Sequence, residues 1–339
     1  MKRLIIDVMG GDKAPLEMVK GLGLAMSELG DDVEYTVVGD KAQIEAIAKE
    51  NNIDLSKVKI VHTETYITMD DDPVSVVRAK KDSSMGIGLT MLKDGEGDAF
   101  VTTGNTGAVF TGANLIVRKL KGVRRPALAA LVPLQNPVLV VDTGANVVAE
   151  PSYLEHFAIM GSAYMKHVVG IENPRVGLLN NGAEEHKGTE LQIETYKRLS
   201  ANKNINFVGN IEGNTASKNT CDVLVTDGFA GNIFVKTVEG LGKMMLRALK
   251  DVFYKNTRTK VSALLIKGEI NGIKKAFDPS EVGGAPILGI KKPVIKSHGS
   301  SDAKTFKNAI KQAYAYSNAC IEPLIEETLA NLKASESEE

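Results

Sequence analysis

Six short polar turns hold the residues of this chain whose types could do chemistry. They are MGGD (9–12), TTGNTGA (102–108), DTGAN (142–146), NNGAEEHKG (180–188), GNIEGN (209–214) and TDGFAGN (226–232). Each follows an apolar run of the kind that forms a strand, and each joins glycine to Asn, Asp or Thr. In open parallel α/β proteins, ligands bind outside the carboxyl ends of the strands. The turns together therefore predict one shared cleft for a small ligand. The competing explanation for each is conformational, because Asn and Gly satisfy left-handed turn geometry without any ligand.

The first turn can cradle a phosphate, close a metal site or merely reverse the chain, and its candidate ligand-binding residues are Asp7, Gly10, Gly11 and Asp12. TTGNTGA has the strongest local mechanism. There Thr103, Gly104, Asn105, Thr106 and Gly107 would offer backbone N–H groups and side-chain donors beside a helix N-terminus, an anion site that needs no basic residue. NNGAEEHKG sets Lys187 and His186 near Asn180. A lysine neutralises a phosphate or a developing oxyanion, and an asparagine can hold a carbonyl oxygen. Lys187 is the preferred active cation; His186 has no acid partner nearby in sequence. In TDGFAGN, Asp227 can orient a cation or accept a proton, or it can cap the following helix. Gly228 and Phe229 supply the turn and an apolar wall, and Asn232 lies one helical turn on. Asp142 and Asn146 complete the candidate set.

Several chemistries lack their residues. The lysine that ends a Walker loop is missing from TTGNTGA, MGGD is not a dinucleotide fingerprint, and no serine sits in a GxSxG elbow. The scattered aspartates form no metal-ligand pattern, so no metal and no cofactor is expected. Cys221 and Cys320 stand apart from each other and from any CxxC, which reads as a cytosolic chain without a disulfide scaffold. With 41 Lys+Arg against 42 Asp+Glu, no global basic excess points to nucleic acid. No signal-peptide pattern precedes the first strand, and no apolar run approaches the roughly 18 residues of a membrane span.

The elements that must position these turns alternate. Apolar strand-like runs (LIID, VEYTVVG, VKIVH, DAFVT, PALAALV, PVLVV, RVGLL, DVLV) are separated by segments with helical periodicity. Asp72–Pro73 reads as a helix start, SYLEHFAIMGSAYMKHVVG as a helix ending at Gly170, and the stretch from Ile233 to Val252 as a long packed helix. This alternation implies an α/β fold class, a three-layer α/β/α sandwich with a mostly parallel sheet. Without a Gly/Ser or Pro-rich linker, residues 1–333 read as one catalytic unit, divisible at most into two intimately packed lobes. Residues 247–278 have eight Lys/Arg against three Asp/Glu around the apolar run VSALLI, and residues 334–339 form an acidic tail.

The motifs DVMGGD, TTGNTGA, VDTGAN, GLLNNGAEEHKG, FVGNIEG, VTDGFAGNIFVKTVEG, GGAPILG and HGSS occur in the order seen in the bacterial phosphate acyltransferase family, which this chain resembles from Met1 to Leu332. The resemblance implies an isocitrate/isopropylmalate dehydrogenase-like fold and a homodimer. It also implies transfer of a long-chain acyl group from acyl carrier protein to inorganic phosphate. The product would pass to a glycerol-3-phosphate acyltransferase for phospholipid synthesis. On that basis the 103–107 turn and Lys187 are expected to hold phosphate. Asn180 or Asn232 would face the thioester oxygen, and Asp227 would orient Lys187 or take a proton. The basic 247–278 projection would meet an acidic carrier, a second subunit or, transiently, the inner face of the cell membrane. The nearest alternative is a phosphate acetyltransferase acting on acyl-CoA. A dehydrogenase of the same fold and a non-enzymatic anion-binding module are more distant ones.

Overall fold

The first apolar run becomes strand β1 (Lys2–Asp7), and its side chains divide between two cores. Leu4 and Ile6 enter one hydrophobic cluster and Ile5 the other, all fully buried. This is the period-2 alternation of a strand covered on both faces. The computed structural model describes residues 1–134, 136–266, 268, 272 and 281–336. Ten further strands join β1: β2 (Val33–Gly39), β3 (Val58–His62), β4 (Ala99–Thr102), β5 (Ala127–Val132), β6 (Val138–Val141), β7 (Arg175–Asn180), β8 (Asn206–Glu212), β9 (Val223–Val225), β10 (Gly284–Leu288) and β11 (Val294–Ser297).

Helices cover both faces. α1 (Leu16–Leu29), α5 (Pro151–Tyr164) and α9 (Ala303–Ala319) bury Leu22, Phe157 and Phe306 in the larger cluster, while α3 (Ser84–Lys93) and α4 (Thr106–Gly112) bury Leu89 and Val109 in the second. Among the described residues the remaining helices are α2 (Lys41–Glu50), α6 (Glu190–Ala201), α7 (Gly228–Tyr254), α8 (Thr257–Leu265) and α10 (Glu322–Glu336). The three-layer α/β/α arrangement expected from the sequence is present. Caps mark several starts: Asp40 accepts from Ala42 N at 2.9 Å, and Ser83 accepts from Gly86 N at 3.2 Å. Asp72 also caps, but it opens only the short 3₁₀ stretch Pro73–Val77. The helix through Tyr164 continues as a wider turn, Met165–Val169, and stops at Gly170, whose φ of 91° is the usual glycine stop.

The strand order is β3-β2-β1-β4-β11-β10-β5-β6-β9-β7-β8. The pairs from β3 to β11 are parallel, and so are those from β6 to β8. Between them lie three antiparallel pairings, β11 with β10, β10 with β5 and β5 with β6. Three reversals are an odd number, so the two parallel runs point in opposite directions. The strands before β10 and those after β5 therefore end on opposite edges. We call the edge where β1, β4 and β11 end the upper edge, and the one where β6, β7 and β9 end the lower. Helix α7 starts at the lower edge and passes upward across β6 and β5.

Helix α7 also departs from expectation in its packing. Leu241, Met245 and Val252, which read as core positions, are exposed. The expected 247–278 projection is described through Ile266; most of it beyond that point, and residues 337–339 of the acidic tail, lie outside the described residues. Among the described residues no helix is long and apolar enough to cross a membrane.

Candidate active site

At the upper edge the turns after β1 and β4 interlock. Asp7 is buried, and its carboxylate accepts from Met9 N at 3.0 Å and from the Thr102 hydroxyl at 2.7 Å. Thr102 in turn accepts from Gly104 N at 2.9 Å, so one carboxylate shapes both turns. Burial pushes the Asp7 carboxyl above the usual carboxylate range, opposed by these hydrogen bonds. The Thr103 hydroxyl donates to the Gly10 carbonyl. The two backbones are so close that a Cβ on Gly10 would lie 2.6 Å from Gly104 N, which excludes any larger residue. Gly11 has φ +96°, a conformation in which side chains are strained.

Asn105 caps α4, accepting from Ala108 N at 3.1 Å, while its amide donates to carbonyls of the 68–71 loop, the shortest contact being Met69 O at 3.0 Å. Its side-chain groups thus serve the turn itself. Asp71, which steadies that loop, is held down to about 2 by the Lys80 ammonium, 2.7 Å away, and by donors from Thr68. Thr106 is exposed at the start of α4, and Gly107 packs on Pro73.

The strand β11 brings a third turn to this edge. Asp12 N donates to Gly299 O at 2.8 Å, fastening the MGGD turn to the HGSS loop. Ser297 Oγ donates to Gly283 O at 2.8 Å and shares a 2.9 Å hydrogen bond with Ser301 Oγ. Here a cavity of about 270 Å³ opens, lined by Ala130 and Leu131 of β5, Glu239 and Lys243 of α7, Gly283, Gly284 and Ala285, and Lys296, His298 and Ser301. Lys296 is only 8% exposed, and its ammonium donates to Ser297 O at 2.6 Å. Burial pushes it down to about 8, which the charge of Asp12 partly opposes. His298 stands at the mouth. Desolvation, and then the charge of Lys296 with those of Lys243 and Lys236, lowers its pKa against the opposing charge of Glu239 and favours the neutral imidazole.

Lys296, His298, Glu239 and Lys243 were not among the site residues expected from sequence. The signal was present in PVIKSHGSS: a lysine near the end of an apolar strand run, directly before a polar glycine turn.

The remaining candidates gather at the lower edge. Asp142 is buried, and its carboxylate accepts from the backbone N–H groups of Leu128, Gly144, Ala145 and Asn146 and from the Asn146 amide, at 2.6 to 3.2 Å. Burial raises its pKa despite those donors. Asn146 also donates to Pro126 O at 2.8 Å, and its own carbonyl accepts from Gly228 N at 2.8 Å. Asp227 caps α7, accepting from Phe229 N and Ala230 N at 2.9 Å each. Phe229 is 61% exposed, and Asn232 donates to Thr143 O at 2.8 Å. Next to β9, Asn180 donates to the Lys187 carbonyl at 3.0 Å, while His186 and Lys187 are exposed.

This geometry corrects the expectation of one shared cleft. Within one chain the 103–107 turn and Lys187 follow β4 and β7, whose carboxyl ends lie on opposite edges, so they do not meet around a single ligand. Among the described residues no cluster of His, Cys, Asp and Glu could hold a metal ion.

Comparison with known proteins accords with this fold. Residues 2–321 match the family model described as "Fatty acid synthesis protein". A curated phosphate acyltransferase from Acetivibrio thermocellus is 43% identical over 337 residues, 99% of each chain. Among solved structures, a phosphotransacetylase from Streptococcus pyogenes superposes with a TM-score of 0.61 at 16% identity, over 94% of each chain. A putative 4-hydroxythreonine-4-phosphate dehydrogenase from Salmonella typhimurium gives a TM-score of 0.55 at 11% identity, over 93% of this chain and 99% of the other. The latter two show a shared fold, the dehydrogenase-like one expected from the sequence.

Proposed function

The chain belongs to the fatty acid synthesis protein family and is a phosphate acyltransferase; from that premise we propose that its acyl donor is a long-chain acyl carrier protein and its acceptor inorganic phosphate. The observation that carries the site assignment is the convergence of Lys243, His298 and Lys296 on one cavity at the upper edge, rimmed by backbone-rich glycine turns. Such a cavity suits a small anion held against a thioester.

In this reading a phosphate oxygen attacks the thioester carbonyl carbon. The C–O bond forms, the C–S bond breaks, and the proton that phosphate gives up goes to the sulfur, so the carrier's arm leaves as the thiol. Phosphate is already nucleophilic at neutral pH, so the protein's task is to orient and to neutralise. Orientation supplies as much as roughly 7–11 kcal/mol in well-aligned systems, against about 3–4 kcal/mol for a single oxyanion donor. A strongly basic side chain is therefore unnecessary.

The carrier assignment draws support from α7. Lys236, Lys243, Arg247 and Lys250 are all exposed and spaced by seven, four and three residues. At 100° per residue they fall within an arc of roughly 60°, a basic stripe that passes the cavity at Lys243. An acidic carrier fits that stripe by charge. Exposed Leu241, Met244, Met245 and Val252 support the homodimer and the transient contact with the inner face of the membrane, which are part of this proposal. Asn180, Lys187, Asp227 and Asn232 serve this cavity only if a second protomer brings its lower edge to it.

Incubation with palmitoyl carrier protein and labelled phosphate is expected to give acyl phosphate, with acetyl-CoA a poor donor. Turnover of acetyl-CoA in preference to the carrier substrate would replace the carrier reading with that of a phosphate acetyltransferase.

A further inference from the structure

We infer that the Lys296 ammonium is the phosphate-holding cation of the active site. The inference rests on the acyltransferase reading above and assigns its anion subsite. Lys296 lies near the end of β11, nearly buried, with the Ser297 carbonyl as its hydrogen-bond partner and Asp12 acting on it from the MGGD turn. A buried charge is costly unless something neutralises it. Here Lys296 lines a cavity, and among the described residues no carboxylate pairs with it. A visiting dianion supplies the missing partner.

Strands β5, β10 and β11, the loop after β11 and helix α7 shape the subsite, with Asp302 at the cap of α9 also on its wall. β11 brings Lys296, the loop after it brings His298, and α7 brings Lys243 and Glu239, with Lys236 close enough to act on His298. Hydrogen bonds from Ser297 to Gly283 and between Ser297 and Ser301 hold the loop in register with the start of β10. Gly283, at φ +92°, has no room for a side chain: a Cβ would lie 2.5 Å from Ala309 N, so this wall of the cavity is backbone. Lys296 stays an ammonium throughout the reaction. It neutralises the phosphate oxygens that do not attack, and takes no part in the bonds that form and break.

The test compares the full-length wild type with Lys296→Met and Lys296→Arg. Phosphate binding is measured by calorimetry without any acyl donor, and KM and kcat are measured with palmitoyl carrier protein. Lys296→Met should raise the phosphate Kd and KM by at least about tenfold, as expected for a lost hydrogen bond to a charged group. The carrier-protein KM should change by less than about twofold, and Lys296→Arg should recover part of the phosphate affinity. A folded Lys296→Met protein with unchanged phosphate Kd would overturn the assignment. A second readout uses only the wild type: phosphate should slow reductive methylation of Lys296, read by mass spectrometry, relative to the other lysines. Equal labelling with and without phosphate would also overturn it. If the wild type binds phosphate but does not consume the carrier thioester, the donor reading fails while the Lys296 assignment stands.

Discussion

Replacing Lys296 by methionine should make the protein more stable while disabling it. The drop in the lysine's pKa from 10.5 to about 8 corresponds to about 3 kcal/mol of penalty for keeping the charge buried. Below pH 8 the lysine is protonated in both folded and unfolded chains, and the full penalty weighs against folding. Between pH 8 and 10.5 the folded lysine gives up its proton while the unfolded one retains it. The unfolded chain then binds more protons, so stability rises with pH across this window. Above 10.5 both forms are neutral and the penalty vanishes. Methionine fills nearly the same volume without charge. Lys296→Met should therefore gain about 2–3 kcal/mol at pH 7, and the gain should shrink towards zero near pH 10.5. Urea unfolding of both proteins at pH 7 and pH 10, in buffer free of phosphate, measures the difference. A variant less stable than wild type at pH 7, or a gain equal at both pH values, would refute the reasoning.

Other contacts carry their own expected outcomes. The phosphate KM should rise above about pH 8 as free Lys296 loses its proton, with burial driving the proton off and the charge of Asp12 opposing that; Glu239, Asp302, Lys243 and His298 line the same cavity, and a flat KM from pH 7 to 9.5 would contradict this. Asp142→Ala should lose about 3 kcal/mol or more by urea unfolding, because it strands the buried N–H groups of Leu128 and Asn146 as well as the part-buried ones of Gly144 and Ala145, and Asp142→Asn should lose less. Gly10→Ala should cost about 1–3 kcal/mol and raise the phosphate KM, since its Cβ would sit 2.6 Å from Gly104 N. A structure of that variant with both turns unmoved would count against the close-approach argument.

Much of the fold was legible because its signals are local. The runs LIID, AFVT and VLVV are buried on both faces and read as strands from composition alone, and the cap that competed with a catalytic role for Asp227 is the part its side chain plays at α7. The reversal between the two halves of the sheet was not legible. It depends on Ile287 and Leu288 pairing with Leu128 and Ala127, some 160 residues away, and no local pattern encodes that. Every turn could be placed after its strand, but not on its edge. Lys296 was hidden for a related reason. In sequence it is one polar residue in an apolar strand, and the α7 residues that make it part of a cavity lie more than 50 positions earlier. The apolar stripe of α7 carried the period of a packed helix, but a period cannot tell whether the covering surface lies within the same chain.

The most direct test of the account is the position of a heavy tetrahedral anion. Crystals soaked with tungstate, a phosphate mimic whose anomalous signal marks its site, should show it at the upper edge, in contact with the Lys296 ammonium and beside Gly283 and Gly284. Density at Lys187, with the Lys296 cavity empty, would contradict it.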